Sequence, residues 1–399
     1  MLISKKMVAA VSGSSLIRKM FEEGALLKAK YGADQVYDFS IGNPDVPPPP
    51  VFKTTLARLV EEDRPGSHAY MPNAGWPQVR EKVAAHVTQE QGRGLKNPFT
   101  AKHIMMTAGA AGAINIILRS LLDPGDEVIT PRPYFVEYGF YVDNFSGKLV
   151  AAEPGEGFKL NIQDIAAKIT PATRAVMINS PHNPTGVIYT AEELAELGRV
   201  LTEAGRKHGR PIALISDEPY RKLAYGVEVP SIFEAYTYAI SATSYSKDLS
   251  LPGERIGYLA INPDMPEDEA DMLLGALSTS ARALGLVNAN SLMQLVMAEL
   301  QGVSVDVGLY ERRRDMFVEV LRQAGYDFTV PDGAFYLFPK SPIADDMTFV
   351  DMLKEERILT VPGAGFKMPG YFRICYCVSE ASIKNSMPGF VRALEKAKA

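Results

Sequence analysis

Lys247 stands in the run Ser244-Tyr245-Ser246-Lys247-Asp248-Leu249-Ser250-Leu251-Pro252-Gly253-Glu254-Arg255-Ile256-Gly257, just past the apolar segment Tyr238-Ala239-Ile240-Ser241-Ala242. A lysine whose ammonium can lose its proton is an amine that captures an aldehyde as a Schiff base. Neighbouring hydroxyls and a guanidinium fork suit a phosphate dianion. Taken alone, the run also reads as an exposed loop lysine with an unrelated arginine.

Three further segments narrow the chemistry. In Ala213-Leu214-Ile215-Ser216-Asp217-Glu218-Pro219-Tyr220 an apolar strand delivers a carboxylate at its C-terminal end and a tyrosine soon after. By itself, an aspartate in that position is as readily a helix N-cap. Ala175-Val176-Met177-Ile178-Asn179-Ser180-Pro181-His182-Asn183-Pro184-Thr185-Gly186 is an apolar strand running into a proline-rich turn that fixes Asn183. A bare Asn-Pro-Thr-Gly is only a turn signal. Ile104-Met105-Met106-Thr107-Ala108-Gly109-Ala110-Ala111-Gly112-Ala113-Ile114-Asn115 turns through small residues into a helix. There, backbone N–H groups and the helix dipole favour an anion, although many strand-to-helix turns look alike.

Each segment ends an apolar strand, and in open α/β sheets ligands bind where strands end, so the four converge on one crevice. An amine for an aldehyde, donors for a phosphate and a carboxylate for a pyridine nitrogen together describe a site for pyridoxal 5'-phosphate. The aspartate keeps that nitrogen protonated, so the ring can take up electrons released at a substrate α-carbon.

In this order and at these separations, the chain resembles over nearly its whole length the fold-type I pyridoxal phosphate enzymes of the class I/II aminotransferase family, aspartate aminotransferase-like. The resemblance implies an α/β fold: a large domain with a mostly parallel sheet covered by helices, and a smaller α+β domain. It implies that Lys247 carries the Schiff base and shuttles the α-proton, that Asp217 pairs with the pyridine nitrogen, and that Asn183 and Tyr220 bind the ring hydroxyl. The N–H groups of Ala110 and Ala111, with Ser244 and Arg255, would hold the phosphate. Phe135, in Pro131-Arg132-Pro133-Tyr134-Phe135, would stack on the ring.

Arg373, in Gly370-Tyr371-Phe372-Arg373-Ile374-Cys375-Tyr376-Cys377, matches the arginine that grips the substrate α-carboxylate, where Asn183 also serves. Ile41-Gly42-Asn43-Pro44-Asp45 resembles the loop that closes over that carboxylate, with Gly42 allowing close backbone approach. Tyr70, in Tyr70-Met71-Pro72-Asn73-Ala74-Gly75, matches the tyrosine that reaches the phosphate of a neighbouring subunit, which implies a homodimer with shared active sites.

The implied activity is transfer of an amino group from an L-amino acid to a 2-oxo acid, with 2-oxoglutarate as acceptor, by a ping-pong route. A C–S β-lyase on the same fold begins with the same deprotonation and stands as the alternative. A cofactor-binding regulator without turnover usually carries an N-terminal DNA-binding domain, and the segment before Gly42 is short for one. In aspartate-type relatives the position of Ala111 is often a lysine that serves a distal carboxylate, and Ala283-Leu284-Gly285-Leu286-Val287-Asn288 carries no charge. Burying an unpaired carboxylate costs several kcal/mol. A dicarboxylate would need Arg282, Lys28 or His182, each also readable as a surface or turn residue. The expectation is therefore a neutral or aromatic donor.

The chain has 399 residues, beyond the roughly 250 to 300 at which one core stops growing, so about two domains are expected. They fall at 46–285, the cofactor-binding part, and at 1–45 with 286–399. With 46% hydrophobic and 22% charged residues the composition is that of a soluble globular protein, and a net charge of -5 offers no basic surface for nucleic acid or membrane. The opening Met1 to Val11 is brief for a signal segment, and Ser15 to about Lys28 reads as a serine-capped amphipathic helix. Cys375 and Cys377 alternate along a strand, are spaced poorly for a disulfide and supply no metal site, which fits a reducing cytoplasm. Pro47 to Pro50 reads as a stiff extended segment. Helical and strand patterns alternate from Phe52 to Ile261, a long helical region follows from Pro266 to Arg322 with breaks near Gly285 and Gly302, and an α+β tail closes the chain.

Overall fold

A computed structural model describes residues 2–12 and 16–399. The chain opens with α1 (Lys5–Ser12), α2 (Leu16–Tyr31), the short β1 (Tyr37–Asp38), α3 (Pro50–Glu62) and α4 (Pro77–Gln91). The serine cap expected at Ser15 lies outside the described residues, and α2 continues past Lys28 to Tyr31. Pro50 takes the first position of α3, where its missing N–H leaves no helical bond unmade, so the extended run closes at Pro49.

Strands and helices then alternate: β2 (Ile104–Thr107), α5 (Gly109–Leu121), β3 (Glu127–Pro131), α6 (Glu137–Asp143), β4 (Lys148–Ala152), α7 (Ile162–Lys168), β5 (Thr173–Asn179), α8 (Ala191–His208), β6 (Ala213–Asp217), α9 (Ile232–Ala235), β7 (Ala239–Ser244) and β8 (Gly257–Ile261). They build a 7-stranded sheet ordered β2-β8-β7-β6-β5-β3-β4. Strand β8 runs antiparallel to both of its neighbours, while the other pairings are parallel. The C-terminal ends of β2, β5, β6 and β7 therefore share one edge of the sheet.

Both faces of the sheet are covered, which is why its strands read as continuous apolar runs. Along β5, Val176 and Ile178 enter one core while Ala175 and Met177 enter the core on the opposite face. The period of two along a strand sends successive side chains to opposite sides. Helix α8 is held at its start by a capping box between Thr190 and Glu193 and ends at Gly209 in the left-handed region.

The rest of the chain comprises α10 (Glu267–Ala283), α11 (Ser291–Glu299), α12 (Val307–Ala324), β9 (Tyr336–Leu337), α13 (Asp346–Glu355), β10 (Ile358–Leu359), β11 (Val361–Pro362), β12 (Phe372–Cys375) and α14 (Glu380–Lys398). Met293, Val296 and Met297 of α11 pack with Val79 and Val83 of α4 in the sheet-side core. A separate core gathers Met20 and Phe39 from the N-terminal arm with Phe317, Phe349, Phe372 and Phe390. Parallel pairing of β1 with β10 ties the arm to the C-terminal part, beside a 3-stranded sheet ordered β11-β12-β9. Cys375 and Cys377 are free and buried, with their sulfurs 3.0 Å apart. Among the described residues, no helix is long and apolar enough to cross a membrane.

Two glycines test this packing from opposite sides. A Cβ on Gly257 would lie 2.2 Å from the Thr243 carbonyl oxygen and 3.1 Å from Gly109 Cα, so Gly257→Ala is expected to cost about 2 to 3 kcal/mol in urea unfolding. Gly275, inside α10, has nothing within 4 Å of the same position, and Gly275→Ala is expected to gain about 0.5 to 1 kcal/mol.

Candidate active site

Strand β7 ends at Ser244, and the turn after it carries Lys247 to the edge of the sheet. The turn is pinned by the Val305 N–H, which donates to the Asp248 carbonyl at 2.7 Å. Lys247 Nζ donates to the Gly42 carbonyl at 2.7 Å and lies 5.7 Å from the centre of the Phe335 ring. Burial pushes its ammonium pKa down from the ordinary value, and the nearby Arg373 and Arg255 cations push the same way against the thiols of Cys377 and Cys375. The result is an amine closer to its nucleophilic form.

Asp217 closes β6 and is 7% exposed. The Tyr138 hydroxyl, on α6, donates to its Oδ2 at 2.6 Å, and the Asn179 side-chain amide donates to its backbone carbonyl at 2.6 Å. Its Oδ1 is buried with no hydrogen-bond partner. Desolvation lifts the carboxyl pKa from 3.8 to about 7, with Tyr138 opposing and the Glu218 charge adding to the rise. A buried oxygen without a donor is costly unless a ligand supplies one.

Asn179, at the end of β5, accepts the Asn183 backbone N–H at 2.6 Å and so fixes the proline-rich turn. Asn183 Oδ1 accepts from Arg373 Nη1 at 3.1 Å, while Arg373 Nη2 donates to the Ser40 carbonyl at 2.6 Å. The Arg373 guanidinium lies over the rings of Tyr336 and Phe366, 4.7 and 4.8 Å from their centres. Cation–π contact with two rings restrains the fork.

The N-terminus of α5 forms the remaining wall. Gly109 has φ 73, and a Cβ there would come within 3.0 Å of Arg255 Nη2. Arg255 itself sits in the left-handed region at φ 51 and donates to the Pro252 carbonyl at 2.9 Å. Guanidinium and helix N-terminus face each other across that missing side chain, an arrangement suited to an anion.

Gly42, Ala110, Ala111, Phe135, Asn183, Asp217, Tyr220, Ser244, Lys247, Arg255 and Arg373 all line one cavity of about 310 Å³. Tyr70 lies away from it, 92% exposed. Sequence reasoning singled out neither Tyr138, behind Asp217, nor Asn179, Tyr141 and Tyr336 in the cavity wall. The available signals were the spacing of Tyr138 from Phe135 and the aromatic run around Tyr336. The candidate distal cations are elsewhere. Lys28 pairs with Asp38 at 2.8 Å, and Arg282 is exposed and absent from the cavity wall. His182 is buried rather than on the surface, bonded to Thr185 at 2.8 Å, and desolvation lowers its pKa to about 3, so it is neutral.

A buried amine, an anion cradle, an unpartnered carboxylate oxygen and a clamped guanidinium can together hold a phosphorylated heteroaromatic aldehyde and grip a carboxylate beside it. The family described as aminotransferase class I and II matches residues 34–387. The chain is 33% identical over 386 residues to a probable aspartate/prephenate aminotransferase of Aquifex aeolicus, covering 93% of each sequence. Its fold matches the crystal structure of an aminotransferase of Eubacterium rectale with TM-score 0.94 and 38% identity over 100% of both chains. It matches the aspartate aminotransferase of Thermus thermophilus with maleate with TM-score 0.85 and 27% identity, over 99% of this chain and 100% of that one.

The raised Asp217 pKa has a consequence for the ligand-free protein. The unfolded chain ionises this group near 3.8 and the folded one only near 7, so its burial erodes stability as pH rises through that window and no further above it. Asp217→Asn keeps the shape without the charge. Relative to the unsubstituted protein, it is expected to gain about 1 to 3 kcal/mol at pH 8 and little near pH 4, measured by thermal unfolding without ligand. A gain that does not grow with pH would contradict the raised pKa.

Proposed function

This chain belongs to the aminotransferase class I and II family, and from that premise we propose that its 310 Å³ cavity holds pyridoxal 5'-phosphate and serves a neutral or aromatic L-amino acid as donor, with 2-oxoglutarate as acceptor, in a ping-pong reaction. Enzymes of this family are pyridoxal phosphate-dependent transaminases, and this chain is one of them. The observation that carries the cofactor assignment is Asp217 Oδ1, a buried acceptor in the cavity wall without a donor of its own. A protonated pyridine nitrogen is a donor of the right charge, and its approach would restore the carboxylate to its ionised form.

The cofactor, when bound, supplies an aldehyde for amine capture and a ring that takes up electrons from the α-carbon. Lys247 Nζ provides the amine and carries the proton to and from the α-carbon. Asp217 would hold the proton on the ring nitrogen, and the Tyr138 hydroxyl, donating to its Oδ2, keeps Asp217 in place. Of the residues lining the cavity, Asn183 and Tyr220 would hold the ring hydroxyl, Phe135 would offer the ring a stacking face, and Ala110, Ala111, Ser244 and Arg255 would hold the phosphate. Arg373, with Asn183 and Gly42 beside it, binds the α-carboxylate and orients the α-hydrogen toward Lys247. The exposure of Tyr70 supports a homodimer in which this phenol completes the partner's phosphate site.

Support for the donor class comes from charge. Lys247, Arg255 and Arg373 are the cations in the cavity wall, and the roles above engage each of them. Relatives named for aspartate point the other way, toward a second carboxylate. In a single copy of this chain, such a carboxylate would face Ile41, Ile114, Tyr141 and Phe135. The distal carboxylate of 2-oxoglutarate then draws its counter-charge from the partner subunit.

The test is the visible absorption spectrum of the loaded protein during titration with single amino acids and no oxo acid. Bleaching by aromatic or neutral amino acids at least about tenfold more efficiently than by aspartate is expected, and the reverse order would overturn the donor assignment. Release of pyruvate and ammonia from cysteine-type substrates under a persistent band would make the reaction an elimination. Lys247→Ala is expected to lower turnover roughly a thousandfold or more with an unchanged unfolding temperature. Arg373→Lys, which loses the fork, is expected to raise KM about tenfold for every donor.

A further inference from the structure

Tyr336 touches three of the groups just assigned without having a role in that assignment. It lies on β9, paired antiparallel with β12 so that Tyr336 is opposite Cys375, and Arg373 is on the same face of that neighbouring strand. Its ring is the surface over which the Arg373 guanidinium lies, 4.7 Å from the ring centre. Its hydroxyl is 2.7 Å from the Tyr220 hydroxyl, and the two rings meet edge to face at 5.6 Å. The same hydroxyl presses on Gly42, where a Cβ would lie 2.1 Å away. Gly42 is also the residue whose carbonyl takes the Lys247 ammonium. Tyr336 is 2% exposed and Tyr220 5%, so neither phenol can trade this partner for bulk water. Burial holds both phenols well above their ordinary pKa, so they meet as neutral hydroxyls and the pair contains one proton that points from one oxygen to the other.

We propose that Tyr336 is a positioning residue: its hydroxyl orients the Tyr220 phenol toward the cofactor's ring hydroxyl while its ring carries Arg373, so one side chain aligns the cofactor contact with the substrate carboxylate contact. This rests on the assignment of Tyr220 and Arg373 given above. The geometry divides the two duties between different parts of the side chain. Removing the oxygen leaves the face under Arg373, and removing the ring takes away both.

The experiment compares Tyr336→Phe, Tyr336→Leu, Tyr220→Phe and the double variant Tyr220→Phe/Tyr336→Phe, all loaded with pyridoxal phosphate. Two readouts need no turnover: the resting absorption spectrum, and the dissociation constant of pyridoxal phosphate from the apoprotein. Tyr336→Phe is expected to change the resting band ratio in the same sense as Tyr220→Phe and to lower kcat about tenfold, with donor KM within about twofold of the original. Tyr336→Leu adds a rise in donor KM of about fivefold. In the Tyr220→Phe background, removing the Tyr336 hydroxyl should change neither the spectrum nor kcat further, because the group through which it acts is gone. Fully additive effects in the double variant would overturn the proposal, as would an unaltered spectrum and kcat in Tyr336→Phe while Tyr220→Phe alters both. If Tyr220→Phe is itself silent, the assignment of Tyr220 fails and the proposal with it. Should the leucine variant not fold, the phenylalanine variants still decide the matter.

Discussion

A carboxylate buried at the end of a parallel strand with one oxygen unsatisfied is the constraint around which this molecule is organised. Asp217 can sit there only because β6 is central, flanked by β5 and β7, and because Tyr138 and Asn179 hold it from two sides. Filling Oδ1 from within the protein would have been simple for any nearby hydroxyl, yet none reaches it. The group is thus held in a destabilised condition, its pKa lifted to about 7 by desolvation, until a cationic donor arrives. On the proposed assignment, a protonated pyridine nitrogen would be that donor.

Around the cavity, polar bonds link the C-terminal and arm side to the large sheet. Arg373, from the strand beside the C-terminal core, reaches Asn183 at the end of β5. Tyr336 reaches Tyr220 just past β6, and Gly42 in the arm accepts Lys247 just past β7. Each bond joins an element of the C-terminal or arm side to a strand end of the large sheet. The residues proposed for the substrate carboxylate are therefore bonded to those proposed for the cofactor. Beside these bonds, apolar packing also joins the two sides, since Tyr220, Leu223 and Tyr225 just past β6 lie in the same core as Phe317, Phe335 and Phe372.

Much of this was legible in the sequence because a parallel strand ending in a polar residue leaves a plain mark: an apolar run that stops at Asn179, Asp217 or Ser244. The breaks near Gly285 and Gly302 likewise separate α10, α11 and α12, and both glycines occupy the left-handed region. The reversal of β8 had a cue that went unread. A parallel return needs a crossover, usually helical, and 245–256 carries no helical pattern. Tyr138 and Tyr336 escaped because an aromatic residue in an apolar stretch reads as core, which both also are. Their hydroxyl partners lie 79 and 116 residues away in sequence, so the pairing exists only once the fold brings the strand ends together. His182 lies in the proline turn, as a turn residue should, but packing against Tyr189 and bonding to Thr185 bury it, a pairing the sequence does not display.

Charge finally links the site to its substrate. Lys247, Arg255 and Arg373 face a cavity whose wall contains Asp217 as its anion. A phosphate dianion, one α-carboxylate and a protonated ring nitrogen bring those charges close to neutrality. On the proposed reading, a further carboxylate at the substrate's far end would leave a net negative charge in a space walled by Ile41, Ile114, Tyr141 and Phe135, where no cation is at hand to pair with it. The same reasoning separates donor from acceptor. On the proposed reading a neutral donor side chain would be accommodated by one chain alone, whereas an acceptor with two carboxylates would require a cation from outside this wall. In the proposed homodimer that cation would come from the second copy, to whose exposed Tyr70 the phosphate contact is assigned.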